Sequence, residues 1–170
     1  MARYLLQDLI FVREHREDKA SKAVTAARRV VAEAEQLVEK RQQELEDYKV
    51  WRVVEERRLM DSIMLKPVKL GDITDLRLEI AGMREKELDY MDLLRKAEAD
   101  LDRARELLEE ARKAHIKATQ ELEKLVEHRQ LWRREQALEE ERLADLEMED
   151  FTSPKSALFN LTGSQNHEYN

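Results

Sequence analysis

Apolar residues recur every seven positions along the first part of this chain. Two sets of positions, offset by four residues, carry the pattern, and we call them the first and second seam sets. Apolar residues at two such positions in successive heptads are typical of a coiled-coil helix. The first set of this stretch is Ala20, Ala27, Ala34, Arg41, Tyr48 and Glu55, and the second is Val24, Val31, Val38, Leu45, Arg52 and Leu59. We also expect Val30, Leu37 and Trp51 to widen the apolar stripe.

A second stretch shows the same pattern over more heptads. Its first seam set is almost entirely apolar, which makes a chance alignment a poor explanation. That set is Leu76, Met83, Tyr90, Ala97, Ala104, Ala111, Ala118, Leu125 and Trp132. The second set is Ile80, Glu87, Leu94, Leu101, Leu108, His115, Leu122 and Arg129. This stretch is therefore predicted to be a second coiled-coil helix.

The two patterns are separated by the short sequence KPVKLGD, residues 66–72. Pro67 removes a backbone donor and disfavours helix at Lys66. Gly71 permits the positive φ of a tight reversal, and Asp72 is a good N-cap. Two helices joined by so short a connection must lie antiparallel. The predicted fold is all-α, a long two-helix antiparallel coiled-coil hairpin.

The predicted boundaries make residues 1–150 a single hairpin. We expect one helix over about 3–65, a tip over 66–72 and a second helix over about 73–150. Residues 151–170 lack periodicity and are predicted to form a flexible tail, with a short helix over 155–161.

Folding the chain at about residue 69 sets a register between the helices. His115 then falls in the layer of Val24, and Arg52 falls in the layer of Glu87. Glu55 lies close to Arg84. We expect Arg52–Glu87 and Glu55–Arg84 to form ion pairs across the hairpin. Such pairs near a surface contribute only about 0–1 kcal/mol to stability, so their role would be to fix the register.

Composition agrees with long helices and excludes several classes of protein. Charged residues make up 41% of the 170 residues and aromatic residues only 5%, which is too few for an ordinary globular core of this length. The net charge of −7 argues against a nucleic-acid-binding protein, which needs a basic surface. The absence of cysteine excludes disulfides and thiolate metal sites, and it fits a cytoplasmic protein. No apolar run is long enough to predict a membrane span.

The residues predict no catalytic site, metal site or cofactor. A phosphate-binding loop needs several clustered glycines, and the three glycines here are far apart. No two histidines have the i, i+4 spacing of a helical metal site, and His115 is interpreted as a packed seam residue. A two-helix hairpin has no concave, dry pocket in which paired carboxylates could act. The chain is therefore predicted not to be an enzyme.

Large apolar residues concentrate near the predicted tip. Tyr48 and Tyr90 are expected to be core residues. Trp51 and three neighbouring valines, Val50, Val53 and Val54, cannot all face inward on a two-helix hairpin. At least one of them is expected to be exposed, and exposed bulky apolar groups mark interaction sites.

The same region resembles the YscO family of type III secretion stalk proteins, also called SctO, which is related to the flagellar protein FliJ. The stretches that carry the resemblance are YKVWRVVEERRLMD, residues 48–61, and DLRLEIAGMREKELDY, residues 75–90. The basic opening of the chain from Arg3 to Arg16 also agrees. The tail after Asp150 matches no pattern of the family.

The resemblance implies a coiled-coil hairpin that acts as the central stalk of a secretion system. Its paired ends would insert into the hexameric secretion ATPase, and its distal half would reach the nonameric cytoplasmic ring of the export gate. The protein would be cytoplasmic, docked at the secretion apparatus without entering the membrane, and it would also capture emptied export chaperones. Gate contact would fall on Tyr48, Trp51, Arg52, Glu55, Leu59, Leu76, Ile80, Met83, Arg84 and Glu87. ATPase contact would fall on Arg3, Tyr4, Arg13, Arg16, Arg129, Trp132 and Arg133.

Two other functions fit a coiled coil of this composition. A generic tether or a prefoldin-like chaperone would hold unfolded clients and would not bind an ATPase ring. A helical arm that binds RNA would show a basic face and salt-sensitive binding, which the net negative charge disfavours.

Overall fold

The structure, a computed structural model, describes residues 4–64 and 66–152. Two α-helices make up nearly all of this part of the chain: α1, Gln7–Met64, and α2, Leu70–Thr152. The all-α hairpin predicted from the heptads is confirmed. Arg3, Leu65 and residues 153–170, which include the proposed short helix at 155–161, lie outside the described residues.

The connection between the helices is shorter than predicted because α2 begins at Leu70. The Lys69 amide donates to the Asp72 side chain at 3.0 Å, and the Asp72 amide donates to the Lys69 carbonyl at 3.1 Å. Asp72 therefore caps the helix from its third position, and Lys69 is the N-cap residue. The prediction that Asp72 is the N-cap is wrong. Gly71 lies in the first helical turn and does not supply a positive φ.

The other helix ends also differ from the predicted ones. At the start of the chain Tyr4–Leu6 form a turn, in which the Gln7 amide donates to the Tyr4 carbonyl at 3.2 Å. At the other end α2 includes Phe151 and Thr152, which the sequence assigned to the tail.

The chain divides into two compact units, and each is formed by both helices. The first, the terminal unit, contains Met1–Glu14 and Gln120–Asn170, and the second, the hairpin unit, contains His15–Thr119. In the hairpin unit, Glu17 contacts His115, Glu35 contacts Arg105 and Arg52 contacts Glu87. Since rising numbers on α1 meet falling numbers on α2, the helices are antiparallel.

The core of the hairpin unit is the predicted seam. Every seam residue of this unit is buried or half-buried, and most of the residues between them are exposed. The buried members are Val24, Leu45, Tyr48, Met83, Ala97, Leu101, Ala104 and Leu108. Four of them lie between Ala97 and Leu108, and two of these four are alanines, whose small side chains let helix backbones approach closely.

One detail of the predicted packing is wrong. Val30, Leu37 and Trp51 do not widen the core, because they are 51%, 39% and 49% exposed. His115, which was predicted to share the layer of Val24, has a hydrogen-bonding partner that was not predicted, Glu17. The half-buried imidazole and carboxylate are 2.7 Å apart, so the polar side chain at this seam position has a polar partner on the other helix.

Candidate interaction surfaces

An aromatic cluster joins the two helices in the distal part of the hairpin unit. The Tyr48 ring lies 4.8 Å from the Tyr90 ring and 5.4 Å from the Trp51 ring, centroid to centroid. The buried Tyr48 hydroxyl donates to the Met83 carbonyl at 2.9 Å. Burial raises the pKa of this hydroxyl above its ordinary value, and the nearby Tyr90 adds to the effect. The cluster holds one face of Trp51 while leaving half of that side chain in solvent.

An ion-pair network lies beside this cluster. Arg52 binds Glu56 on its own helix at 2.6 Å and Glu87 on α2 at 2.5 Å. The predicted Arg52–Glu87 pair is therefore confirmed. The predicted Glu55–Arg84 pair is wrong, because Arg84 binds Glu56 at 3.4 Å and Glu55 binds Arg58 at 2.5 Å.

The physical reason for this change of partner is the position of each carboxylate on its helix. Glu56 directly follows the seam residue Glu55 and can receive both Arg52 and Arg84. Burial opposes ionisation of Glu56, but hydrogen bonds from the two arginines outweigh it and lower its pKa. The hydrogen bonds that Arg52 donates to Glu56 and to Glu87 raise the pKa of Arg52, and the bond to Glu56 has the larger effect. Four charged side chains, Arg52, Glu56, Arg84 and Glu87, are thus joined across the helix pair, and they fix its register.

Next to this network α1 carries several exposed apolar side chains. Val50, Trp51, Val53 and Val54 are all exposed, so the expectation that at least one of them faces solvent is confirmed. An open groove of about 530 Å³ lies on the same part of the unit. Its lining residues are Val53, Glu56, Arg57, Met60, Asp61, Ile63, Met64 and Leu76. We refer to these side chains together as the distal surface.

The residues assigned to gate contact fall into three groups by burial. Tyr48 and Met83 are buried, and a larger group is half-buried: Arg52, Glu55, Leu59, Leu76, Ile80 and Glu87. Trp51 and Arg84 are exposed. The buried members hold the helices together, while the exposed members can touch a partner directly.

The terminal unit has an aromatic cluster of its own. Tyr4 is buried, and its ring lies 5.3 Å from the Trp132 ring and 5.8 Å from the His128 ring. The Tyr4 hydroxyl and His128 Nδ1 share a hydrogen bond of 2.7 Å. Ile10 is completely buried. These contacts pack the start of the chain against α2.

The basic residues assigned to ATPase contact also divide by exposure. Arg13 forms an ion pair with Glu121, and Arg129 donates to the Gln7 side chain at 3.4 Å. Arg133 of the same unit is exposed, and so is Arg16, which belongs to the hairpin unit. Arg3 lies outside the described residues.

The terminal unit exposes apolar side chains that the sequence reading did not single out. They are Leu5, Leu6, Leu9, Phe11, Val12, Leu131, Leu138, Leu143, Leu146, Met148 and Phe151. The signal was available in the sequence: at the start of the chain apolar residues occur on every side of the helix, and a single partner helix can cover only one side. We call this set, with Arg133, the terminal surface.

The charge of the chain is concentrated in the same unit. Residues 135–150 contain eight acidic residues and one arginine, a net charge of −7 that equals the net charge of the whole chain. One ion pair within this segment joins Arg142 to Glu139 at 2.7 Å. The end of α2 is therefore an exposed, acidic helix with apolar side chains.

Neither a metal site nor a membrane span is found in the part of the chain that the structure describes. Within residues 4–64 and 66–152, no three His, Asp or Glu side chains are grouped so that they could hold a metal ion. Neither helix, over the same residues, has an apolar stretch that could cross a membrane.

Comparison with known proteins gives a family and two similar structures. The model of the family described as type III secretion protein YscO matches residues 6–154. The crystal structure of the type III secretion protein YscO from Vibrio parahaemolyticus has a TM-score of 0.80 and 29% identity, covering 86% of this chain and 92% of its own. A YscO homologue from Chlamydia trachomatis has a TM-score of 0.77 and 21% identity, covering 95% of this chain and 99% of its own. No curated protein sequence matches the chain.

Proposed function

Since this chain belongs to the YscO family of type III secretion proteins, we propose that it is a non-enzymatic stalk that links the secretion ATPase to the export gate. The distal surface would bind the cytoplasmic ring of the gate, and the terminal surface would bind the hexameric ATPase. The protein would work in the cytoplasm, docked at the secretion apparatus, and it would also receive export chaperones.

One observation carries the proposal: exposed aromatic and aliphatic side chains lie directly beside a part of the helix pair whose register is fixed by ion pairs. Trp51 is half-exposed although its ring packs on the buried Tyr48. A large apolar side chain held in one orientation loses little conformational entropy when a partner covers it, which is the property of a binding hot spot. The Arg52–Glu56–Glu87 network fixes the helix register below it.

The terminal surface supports the second contact in the same way. Leu5 and Phe11 are exposed on a part of the chain that is anchored by the buried Tyr4 and Ile10. Exposed apolar patches of this kind are more common at protein interfaces than on free surfaces.

Pull-down experiments with two purified partners test the proposal. The full-length chain is mixed with the secretion ATPase and, separately, with the cytoplasmic domain of the export gate. Trp51→Ala and Val54→Asp should reduce capture of the gate domain and leave capture of the ATPase unchanged. Phe11→Asp and Arg133→Glu should have the opposite effect. Each pair of variants is the control for the other, and all four change exposed side chains.

Secretion by cells that carry these variants completes the test. Trp51→Ala should abolish secretion while the helical content of the purified protein is unchanged. Ile116→Ala, which removes an exposed apolar side chain elsewhere in the hairpin unit, should secrete normally. Normal secretion by Trp51→Ala would contradict the assignment of the distal surface. A chain that captures neither partner but prevents aggregation of unfolded proteins would be a prefoldin-like chaperone instead.

A further inference from the structure

The two flanks of the helix pair in the hairpin unit differ in chemistry. One flank carries cross-helix ion pairs, Glu35 with Arg105 at 3.1 Å and Glu56 with Arg84 at 3.4 Å. Each of these four residues directly follows a member of the first seam set. In a heptad, the residues that directly precede the second seam set lie on the opposite flank.

The opposite flank is largely apolar over about three heptads. Eight residues precede members of the second seam set there, from 23 to 44 on α1 and from 93 to 114 on α2. Six of them are apolar, Ala23, Val30, Leu37, Leu93, Leu107 and Ala114, and the other two are Glu44 and Asp100. The four larger apolar residues are exposed: Val30 and Leu37 as given above, Leu93 by 41% and Leu107 by 59%. We call the six apolar residues the apolar flank. It lies within His15–Thr119 and shares no residue with the distal or terminal surface.

Four exposed lysines border the apolar flank, two on each helix. Lys19 and Lys40 are 21 residues apart on α1, and Lys96 and Lys117 are 21 residues apart on α2, a spacing of roughly 31 Å. Lys19 and Lys117 lie within two residues of the Glu17–His115 contact. In the antiparallel register, Lys40 and Lys96 lie within about one helical turn of each other at the other end. Each end of the flank therefore carries a pair of positive charges.

None of the four lysines forms an ion pair within residues 4–64 and 66–152. Nearby carboxylates are engaged elsewhere: Glu33 binds Arg29, Glu44 binds Arg41 and Asp100 binds Arg103. The four lysines lie in two rows of residues spaced by seven, from Lys19 to Lys40 and from Lys96 to Lys117. Within the described residues, Glu110 is the one carboxylate of these two rows that forms no ion pair. The border is thus positive on a protein whose net charge is −7.

We propose that the apolar flank binds an amphipathic α-helix of a partner protein, with acidic residues on both sides of its apolar stripe. A third helix laid along the flank would cover the leucine and valine side chains and place its carboxylates against the lysine pairs. About six helical turns, or 21 residues, span the distance between the two lysine pairs.

A second copy of the chain is a poorer occupant on two grounds. The exposed apolar side chains of the flank offer an area on the order of 300 Å², the size of a patch on a monomer, whereas a stable dimer buries roughly 800 Å² on each partner. A two-fold dimer through this flank would also bring the lysine-bordered surface of one copy against that of the other. Like charges brought together in this way disfavour association.

Two synthetic 21-residue helical peptides test the proposal with the full-length chain. Both carry the same leucine stripe at i, i+4 and i+7 spacing, one bordered by glutamate and the other by lysine. Fluorescence anisotropy at low salt should show binding of the glutamate peptide and at least about tenfold weaker binding of the lysine peptide, because only the first complements the border. Binding of the glutamate peptide should weaken as salt is raised.

Matched variants locate the binding site. Leu107→Asp should weaken binding of the glutamate peptide at least about tenfold, whereas Ile116→Asp, an equally exposed position on the opposite flank of α2, should leave it unchanged. Reversing all four lysines to glutamate should make the lysine peptide the better ligand. Circular dichroism checks that the variants keep their helical content.

Three results would overturn the proposal. The first is equal binding of the two peptides or binding of neither. The second is an equal effect of Leu107→Asp and Ile116→Asp. The third is self-association of the wild-type chain that Leu107→Asp abolishes, measured by sedimentation, since the flank would then be covered by a second copy.

Discussion

The Tyr48 hydroxyl on α1 donates a 2.9 Å hydrogen bond to the Met83 carbonyl on α2. Both residues belong to the seam, and both are buried. A tyrosine can occupy such a position because its ring fills the seam while its hydroxyl reaches a backbone acceptor on the other helix. This bond joins Tyr48 of the aromatic cluster to the backbone of α2 and so helps to fix the register of the two helices.

Removing this hydroxyl should weaken the hairpin unit. We expect Tyr48→Phe to lower the free energy of unfolding by about 0.5–1.5 kcal/mol, the net contribution of a typical hydrogen bond. Urea denaturation followed by circular dichroism measures the change. Tyr90→Phe is the matched control, since it removes a hydroxyl from the other ring of the stack and should change stability less. An equal loss in both variants would mean that the Met83 contact has no special role.

A charge swap should test the ion pair that fixes the register. Arg52→Glu would place three carboxylates together, since Glu56 and Glu87 are its present partners, and it should lower the melting temperature. Adding Glu87→Arg restores an opposite-charge pair and should recover part of the loss. Thermal melts of both single variants and the double variant measure the coupling. Additive losses would show that Arg52 and Glu87 do not interact in solution.

Acid should weaken the same network. The pKa of Glu56 is lower in the folded protein than in the unfolded chain, so the unfolded chain binds more protons between the two values. Stability from this group is present above its ordinary pKa of about 4.3 and is lost as the pH falls through the folded value. Glu56→Gln should therefore reduce the fall in melting temperature between neutral and acid pH. Glu98→Gln, an exposed glutamate of the same unit, should not. Identical pH profiles for all three proteins would contradict this prediction.

Ile10 should stabilise the terminal unit. It is the one large hydrophobic side chain of the described residues that is completely buried, so Ile10→Ala should cost about 2–5 kcal/mol of local stability. Hydrogen exchange of the amides of residues 7–14 should accelerate, and the fluorescence of Trp132 should change. Leu9→Ala, at the neighbouring exposed position, should have a much smaller effect. Unchanged exchange in Ile10→Ala would show that the start of α1 is not packed as described.

Gly71 should be replaceable by alanine with a gain in stability. It lies in the first turn of α2, has no positive φ, and has no atom within 4 Å of an added Cβ. Alanine in a helix is preferred over glycine by up to about 1 kcal/mol, and less at a first turn. Urea denaturation should show Gly71→Ala to be as stable as the wild type or more stable. A clear loss of stability would support a glycine-dependent reversal, as the sequence had suggested.

The sequence determined the helices and their pairing faces because heptad periodicity is a local property of the chain. Each predicted seam residue in residues 4–64 and 66–152, from Ala20 to Trp132, is buried or half-buried. Arg52 and Glu87 could be matched across the break because both occupy seam positions, where register alone sets the layer. The antiparallel order followed from the short distance between the two patterns.

The tertiary structure decided what lies off the seam, because those positions depend on rotation and side-chain reach rather than on periodicity. Arg84 pairs with Glu56 and not with Glu55, and His115 bonds to Glu17. The Asp72 side chain, from within the first helical turn, accepts a hydrogen bond from the Lys69 amide. The exposure of Val30, Leu37 and Trp51 likewise appeared only once the helices were packed, since two helices can cover a single stripe on each other. Periodicity therefore specifies which faces meet, and packing specifies which side chains remain free to bind a partner.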